Sequence, residues 1–136
     1  NALGMHMKYH GALGTSVFKA FDGVAAATGL SEKAAREAGF DVGVAILYKD
    51  NHASYYPGGK EMALKLVYDR KDSRLLGAQG FGGEGVAKRI DVLAVAIWNE
   101  MTATEFSGLD LGYAPPFSPV FDPTLVAAHQ VAKLLG

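Results

Sequence analysis

No cysteine occurs in the 136 residues. That absence removes a disulfide scaffold, a thiolate zinc site and a cysteine nucleophile from this chain, and it fits a reducing, cytoplasmic setting. No excess of either charge is present: 13 basic and 14 acidic side chains leave a formal net charge of −1. A general electrostatic attraction to nucleic acid or to an anionic membrane is therefore not expected. No apolar run reaches transmembrane length, and the first residues, "NALGMHMKYHG", lack the apolar centre of a signal peptide. Histidine is sparse, and His6, His10 and His129 show no metal-ligand spacing. Proline is scarce too, and four of the five prolines crowd into the single stretch "LDLGYAPPFSPVFDP".

What remains is an ordinary globular composition, 49% hydrophobic and 20% charged, in a chain the size of one domain. Asn1-Ala2 has the form of a scar from a cleaved expression tag, so residues 1–10 read as tag remnant and upstream tail, and 11–136 as the domain. "TSVFKAFDGVAAATG" begins as a strand, and Gly23 marks a bend, a bulge or a strand-to-strand turn. "SEKAAREAG" predicts a short helix with Ser31 as N-cap and Gly39 as stop. "FDVGVAILYKD" predicts a strand with Val42, Val44, Ile46 and Tyr48 on one side. "EMALKLVYDR" and "LLGAQGF" flank "KDS" as a hairpin. From Gly85 the period becomes helical, with Val86, Ile90, Leu93, Ala94 and Ile97 on one face.

Thr102 and Glu105 have the form of a capping box. The proline-rich stretch predicts an irregular loop, after which Asp122 caps a last helix that starts at Pro123. The apolar positions of that helix are Leu125, Val126, Ala128, Val131 and Leu134. Strands come first and helices last, which predicts an α+β fold: a largely antiparallel sheet with helices packed on one face.

Gly80-Phe81-Gly82-Gly83-Glu84-Gly85 matches G-x-G-x-x-G, and Glu105 stands about 20 residues further on, the offset of a ribose-binding carboxylate. A dinucleotide loop, however, needs a parallel βαβ unit. Here the preceding strand belongs to a hairpin, a capping box follows the helix, and Glu84 would set a negative charge beside the phosphates. The expected role is a strand-to-helix turn whose glycines permit unusual φ and close packing.

Other segments carry candidate chemistry. "NHASYYPGG" places His52, Tyr55 and Tyr56 at a flexible turn, where phenols could donate to a ligand or a developing anion. The plainer alternative is one tyrosine packed inward, one on the surface, and a loop histidine without special role. "YAPPFSP" holds Tyr113 and Phe117 on a proline-stiffened loop, suited to a ligand wall or interface, or to a crossover that packs Phe117 on the core. Lys88 and Arg89 lie in the first turns of a helix, where cations oppose the dipole. Their partner could be Asp91, a carboxylate of another chain or a phosphate, against a default of solvated side chains. No Ser-His-Asp or paired-carboxylate arrangement stands out.

Together, "NHASYYPGG", "GGEGVAKRIDVLAVAI" and "LDLGYAPPFSPVFDP", with "ALGTSVFKAFD" before them, resemble the C-terminal dimerisation domain of pyridine nucleotide-disulfide oxidoreductases. The branch resembled is that of coenzyme A-disulfide reductases, NADH oxidases and persulfide reductases. The resemblance implies a cytoplasmic flavoenzyme homodimer whose FAD and NAD(P)H domains and redox-active cysteine precede this segment, with no cofactor on the segment itself. It also implies catalytic tyrosines reaching the partner subunit's site: Tyr55 or Tyr56 from one motif and Tyr113 from the other. It places Lys88 and Arg89 near the phosphates of a coenzyme A-type substrate, with His52 in the candidate substrate-binding set. The glutathione reductase branch uses a histidine–glutamate pair, and no histidine stands in "YAPPFSPVFDP", so that acid–base system is not expected. The alternative to this resemblance is a self-contained module for coenzyme A or a nucleotide.

Overall fold

The computed structural model describes Gly4 and residues 8–135. The proposed tag remnant Asn1-Ala2 and His6 lie outside the described residues. The elements are β1 (Ser16–Ala20), β2 (Gly23–Gly29), α1 (Glu32–Glu37), β3 (Val42–Asp50), β4 (Glu61–Asp69), β5 (Leu75–Gly82), α2 (Val86–Trp98), α3 (Ala103–Ser107) and α4 (Pro123–Leu135). The five strands form one sheet in the order β1-β2-β5-β4-β3, and every neighbouring pair is antiparallel. This is the α+β architecture that strands-then-helices predicts. The interruption at Gly23 is a strand-to-strand turn: Phe21 adopts φ +51° and the chain reverses into β2.

The main core lies between the sheet and the helices α2, α3 and α4. Met62, Leu64, Leu66 and Tyr68 of β4 meet Val86, Ile90 and Leu93 of α2, Phe106 of α3 and Ala127, Ala128 and Val131 of α4. β5 is central, and its small residues let α2 approach closely. A Cβ on Gly80 would stand 3.0 Å from Val86 and 3.4 Å from Ile90. Gly43 of β3 likewise makes room for the ring of Tyr68.

The opposite sheet face is only partly covered. There α1 brings Ala35 onto Val42, Val67 and Leu76, a second and smaller apolar cluster. The side that carries Val42, Val44, Ile46 and Tyr48 is therefore this face: its α1 end is buried, and Ile46 and Tyr48 are exposed. Register places Phe18, Ala25, Phe81, Ala63 and Tyr48 in one cross-strand row, so three aromatic rings stand exposed along it.

The termini of the helices follow local rules. Ser31 caps α1 through a bond from the Ala34 amide, and Thr102 and Glu105 form a complete capping box at α3. Asp122 accepts from the amide and the hydroxyl of Thr124 at the start of α4. Two periodic assignments shift. On α2, Arg89 and Ala96 join the buried face while Ala94 is half-buried, and on α4, Ala127 is buried whereas Leu134 is exposed.

Candidate functional site

Three segments meet at the end of the sheet where β3 stops and α2 starts. They are the loop 51–60 between β3 and β4, the glycine turn before α2, and the proline-rich loop before α4. Loop 51–60 is closed at its base. The Asn51 amide donates to the Lys60 carbonyl at 3.0 Å, and the Lys60 amide donates back to Asn51 Oδ1 at 2.9 Å. Asn51 Nδ2 donates to the Glu84 carbonyl at 3.2 Å, tying the loop to the glycine turn. One backbone bond, from the Ala53 amide to the Pro115 carbonyl at 3.2 Å, ties it to the proline-rich loop.

The two loops bring their tyrosines together. The hydroxyls of Tyr55 and Tyr113 lie 3.1 Å apart, although the residues are 58 positions apart in the chain. Both rings are accessible, Tyr55 at 71% and Tyr113 at 47% exposure. Tyr56 behaves differently: it stands edge-on to His52, with ring centroids 5.6 Å apart. His52 itself is only 7% exposed, with Nδ1 3.1 Å from the Ala53 carbonyl oxygen, and its ring lies against Gly59. The two adjacent tyrosines thus differ in their neighbours, with Tyr55 paired to Tyr113 and Tyr56 set against His52.

Hydrogen bonding to Tyr113 raises the Tyr55 phenol above its usual value near 10, helped by local desolvation and by the neighbouring phenol's charge when ionised. The shift favours the protonated phenol, the form that donates a hydrogen bond. Titration followed by tyrosine 13Cζ NMR is expected to place Tyr55 above the ordinary phenol, and Tyr113→Phe to return it towards about 10. An unchanged Tyr55 midpoint in that variant would show that the hydroxyl pair does not persist in solution.

The two cations of α2 part company. Lys88 is exposed and lines a cavity of about 250 Å3 with Asn51, Glu84, Gly85, Pro116 and Phe117; it makes no ion pair among the described residues. Arg89 is 1% exposed. Its partner is none of the expected ones, but Asp122: Nε donates to both carboxylate oxygens at 3.0 and 3.2 Å, and Nη2 lies 3.0 Å from Oδ2. Nη1 donates to the Gly85 carbonyl at 3.2 Å and Nη2 to the Asn51 carbonyl at 2.8 Å. Burial pushes the Asp122 carboxyl up, but the Arg89 charge and the bonds from Thr124 outweigh this and hold it below the usual range. Spacing could not reveal this pair, because its members are 33 residues apart and meet only when the start of α4 docks beside the first turns of α2.

The glycine turn does not fit a dinucleotide. β5 is antiparallel to both its neighbours, and α2 leads into α3 rather than into a strand. Gly85 has φ +87°, and a Cβ there would meet Arg89 Nη1 at 2.5 Å, so the place a phosphate would need beside this glycine is filled by the chain's own guanidinium. The glycines serve the turn and the close packing of α2. Among the described residues, no group of three metal-ligating side chains occurs, and no helix is long and apolar enough to cross a membrane.

Comparison with known proteins agrees with this fold. The chain is 42% identical over 129 residues to the "NAD(P)H sulfur oxidoreductase (CoA-dependent)" of Pyrococcus furiosus, covering 95% of this chain and 29% of that protein. It is 36% identical over 112 residues to the "Coenzyme A disulfide reductase" of Staphylococcus aureus, covering 82% of this chain and 25% of the relative. Among solved structures, the NAD-dependent persulfide reductase from A. fulgidus superposes with a TM-score of 0.93 at 41% identity, over 98% of this chain and 25% of that one. The chain thus spans less than a third of the length of these relatives. The family described as "Pyridine nucleotide-disulphide oxidoreductase, dimerisation domain" matches residues 15–124, and the chain belongs to it.

Proposed function

We propose that this domain supplies a dimer contact and a pair of phenols, Tyr55 and Tyr113, to the thiol-handling site of an FAD- and NAD(P)H-dependent reductase. The substrates of that enzyme are disulfides or persulfides of the coenzyme A type. The observation that carries this reading is the 3.1 Å contact between the two hydroxyls, on loops that share one end of the sheet. Reducing a disulfide by two electrons releases thiolates. A positioned phenol donates a hydrogen bond to the departing sulfur and can pass it a proton. Tyr55, whose accessible phenol stays protonated, suits the hydrogen-bond donor's part of that task.

The flavin, the nicotinamide and the redox sulfur belong to other parts of the enzyme: this chain has no cysteine, and its glycine turn is not built for a dinucleotide. Lys88, exposed at the cavity beside the two loops, is the cation suited to a phosphate of the substrate. Arg89 and His52, both buried, act beneath the surface rather than on the substrate. The exposed aromatic row Phe18–Phe81–Tyr48 and the exposed Val95 and Trp98 of α2 fit a domain that other protein surfaces cover, and light scattering of the isolated domain should give a two-fold dimer.

The decisive experiment is steady-state kinetics of the full-length enzyme that carries this domain. Tyr55→Phe and Tyr113→Phe are each expected to lower kcat for the disulfide by about tenfold or more, with KM changed much less. Unchanged kcat in the double variant would remove the phenols from the chemistry. Tight calorimetric binding of coenzyme A or NADH to the isolated domain would instead favour a self-contained binding module.

A further inference from the structure

Tyr55 and Tyr113 are exposed, and each sits on a segment without regular secondary structure. A single hydrogen bond between exposed hydroxyls contributes too little to order two loops, because every residue fixed costs conformational entropy of similar size. Part of the order comes from the direct bond of the Ala53 amide to the Pro115 carbonyl, and the rest must come from beneath, where the group in place is Arg89. Its guanidinium reaches four separate places: the Gly85 carbonyl at the head of α2, the Asn51 carbonyl at the base of the Tyr55 loop, the Phe117 carbonyl at 3.5 Å, and the Asp122 carboxylate where the Tyr113 loop enters α4. Asp122 also accepts from Ser118 Oγ at 3.1 Å, which extends the same network back along the Tyr113 loop. Gly85 leaves the space that the guanidinium occupies.

We propose that Arg89 is a positioning residue: its planar guanidinium fastens the loop of Tyr55 to the loop of Tyr113 from below and so sets the separation of their hydroxyls. Arginine is required because five donors in a rigid fork satisfy several acceptors at once, whereas a lysine ammonium is a point charge on a flexible stem. The role rests on the reading of the phenols as a thiol site, but its test does not. The positions of the two rings are measured on the 136-residue chain alone, without any substrate.

The test is tyrosine 13Cζ NMR titration of three variants. In Arg89→Lys the charge opposite Asp122 remains and the bridge to the Asn51 carbonyl is lost. The Tyr55 midpoint is expected to fall towards the ordinary phenol value, as in Tyr113→Phe. Arg89→Met combined with Asp122→Leu replaces the buried pair by apolar groups, which proteins often tolerate without loss of stability. A purely structural role predicts that this double variant restores the tyrosine pair; a positioning role predicts that Tyr55 still loses its elevated midpoint. Lys88→Ala, on the same helix but outside the network, should leave Tyr55 unchanged. A folded Arg89→Lys or double variant that keeps the elevated midpoint overturns the proposal. On the unaltered chain, the Nη protons of Arg89 should exchange slowly with water and show contacts to both loops; freely exchanging protons would overturn it without any variant. Failure of the thiol-site reading looks different, as full kcat in the full-length enzyme lacking both phenols while these titrations stand.

Discussion

Asp122→Ala is expected to cost about 3–5 kcal/mol, because removing one member of a buried ion pair strands the other in the interior. Arg89, only 1% exposed, would be left with its Nε donor unmet. The same substitution removes the N-cap acceptor of the Thr124 amide and the partner of Ser118 Oγ, so α4 loses its anchor as well. For a domain of this size the loss corresponds to a Tm lowered by roughly 10–20 °C. Differential scanning calorimetry checks it, and a shift of only a degree or two would show that the pair contributes nothing net. Asp122→Asn should cost less, since it keeps an acceptor for Thr124 while giving up the charge. The acid limb of stability has a defined sign. The folded carboxyl titrates below its usual range, so its contribution is complete above about pH 4, the unfolded aspartate value, and is lost as pH falls through the depressed value. Asp122→Asn should flatten that part of the pH–stability curve.

Gly77→Ala is the second large effect, and its cause is backbone rather than charge. Gly77 lies in central β5 opposite Gly29 of β2, and a Cβ there would run into the carbonyl oxygen of Leu30 and stand 2.9 Å from its amide nitrogen. Leu30 cannot simply move, because its amide is bonded to the Leu76 carbonyl at 2.9 Å and the chain enters α1 two residues later. No rotamer change relieves a clash with main chain, so the cost should reach or exceed the upper end of the ~1–3 kcal/mol typical of overpacking. Gly112→Ala makes the contrast: a Cβ there has nothing within 4 Å, and the change should be neutral or slightly stabilising by restricting the unfolded chain. Urea denaturation of the two variants side by side decides the matter. Equal midpoints would mean that β2 and β5 can separate locally at little cost.

Local rules account for much of what the sequence by itself determined. The capping box at Thr102 and Glu105, the Ser31 cap, the start of α4 at Asp122-Pro123 and the β4–β5 hairpin depend on residues close in sequence, and each formed as its pattern predicts. The same holds for the glycine-rich turn. A hairpin strand before it and a capping box after it already argued against a dinucleotide loop, and the antiparallel β5 agrees. The strands-then-helices order was enough for the α+β class, and the combined motifs were enough for the family.

Tertiary structure alone decided the rest. Nothing in "SYYPG" distinguishes Tyr55 from Tyr56, because adjacent loop residues follow no fixed alternation; only the path of the loop aims one at Tyr113 and the other at His52. Nothing in "AKRID" distinguishes an exposed Lys88 from a buried Arg89, because neighbouring helical positions point about 100° apart and which of them faces inward depends on where α4 lies. The carboxylate that makes Arg89's burial tolerable is 33 residues away and was legible only as a helix cap. Sequence patterns record interactions within a few residues, where the chain's own geometry sets the distance. The Arg89–Asp122 pair and the Tyr55–Tyr113 contact depend on how whole elements dock, and that is settled by packing of the core between sheet and helices.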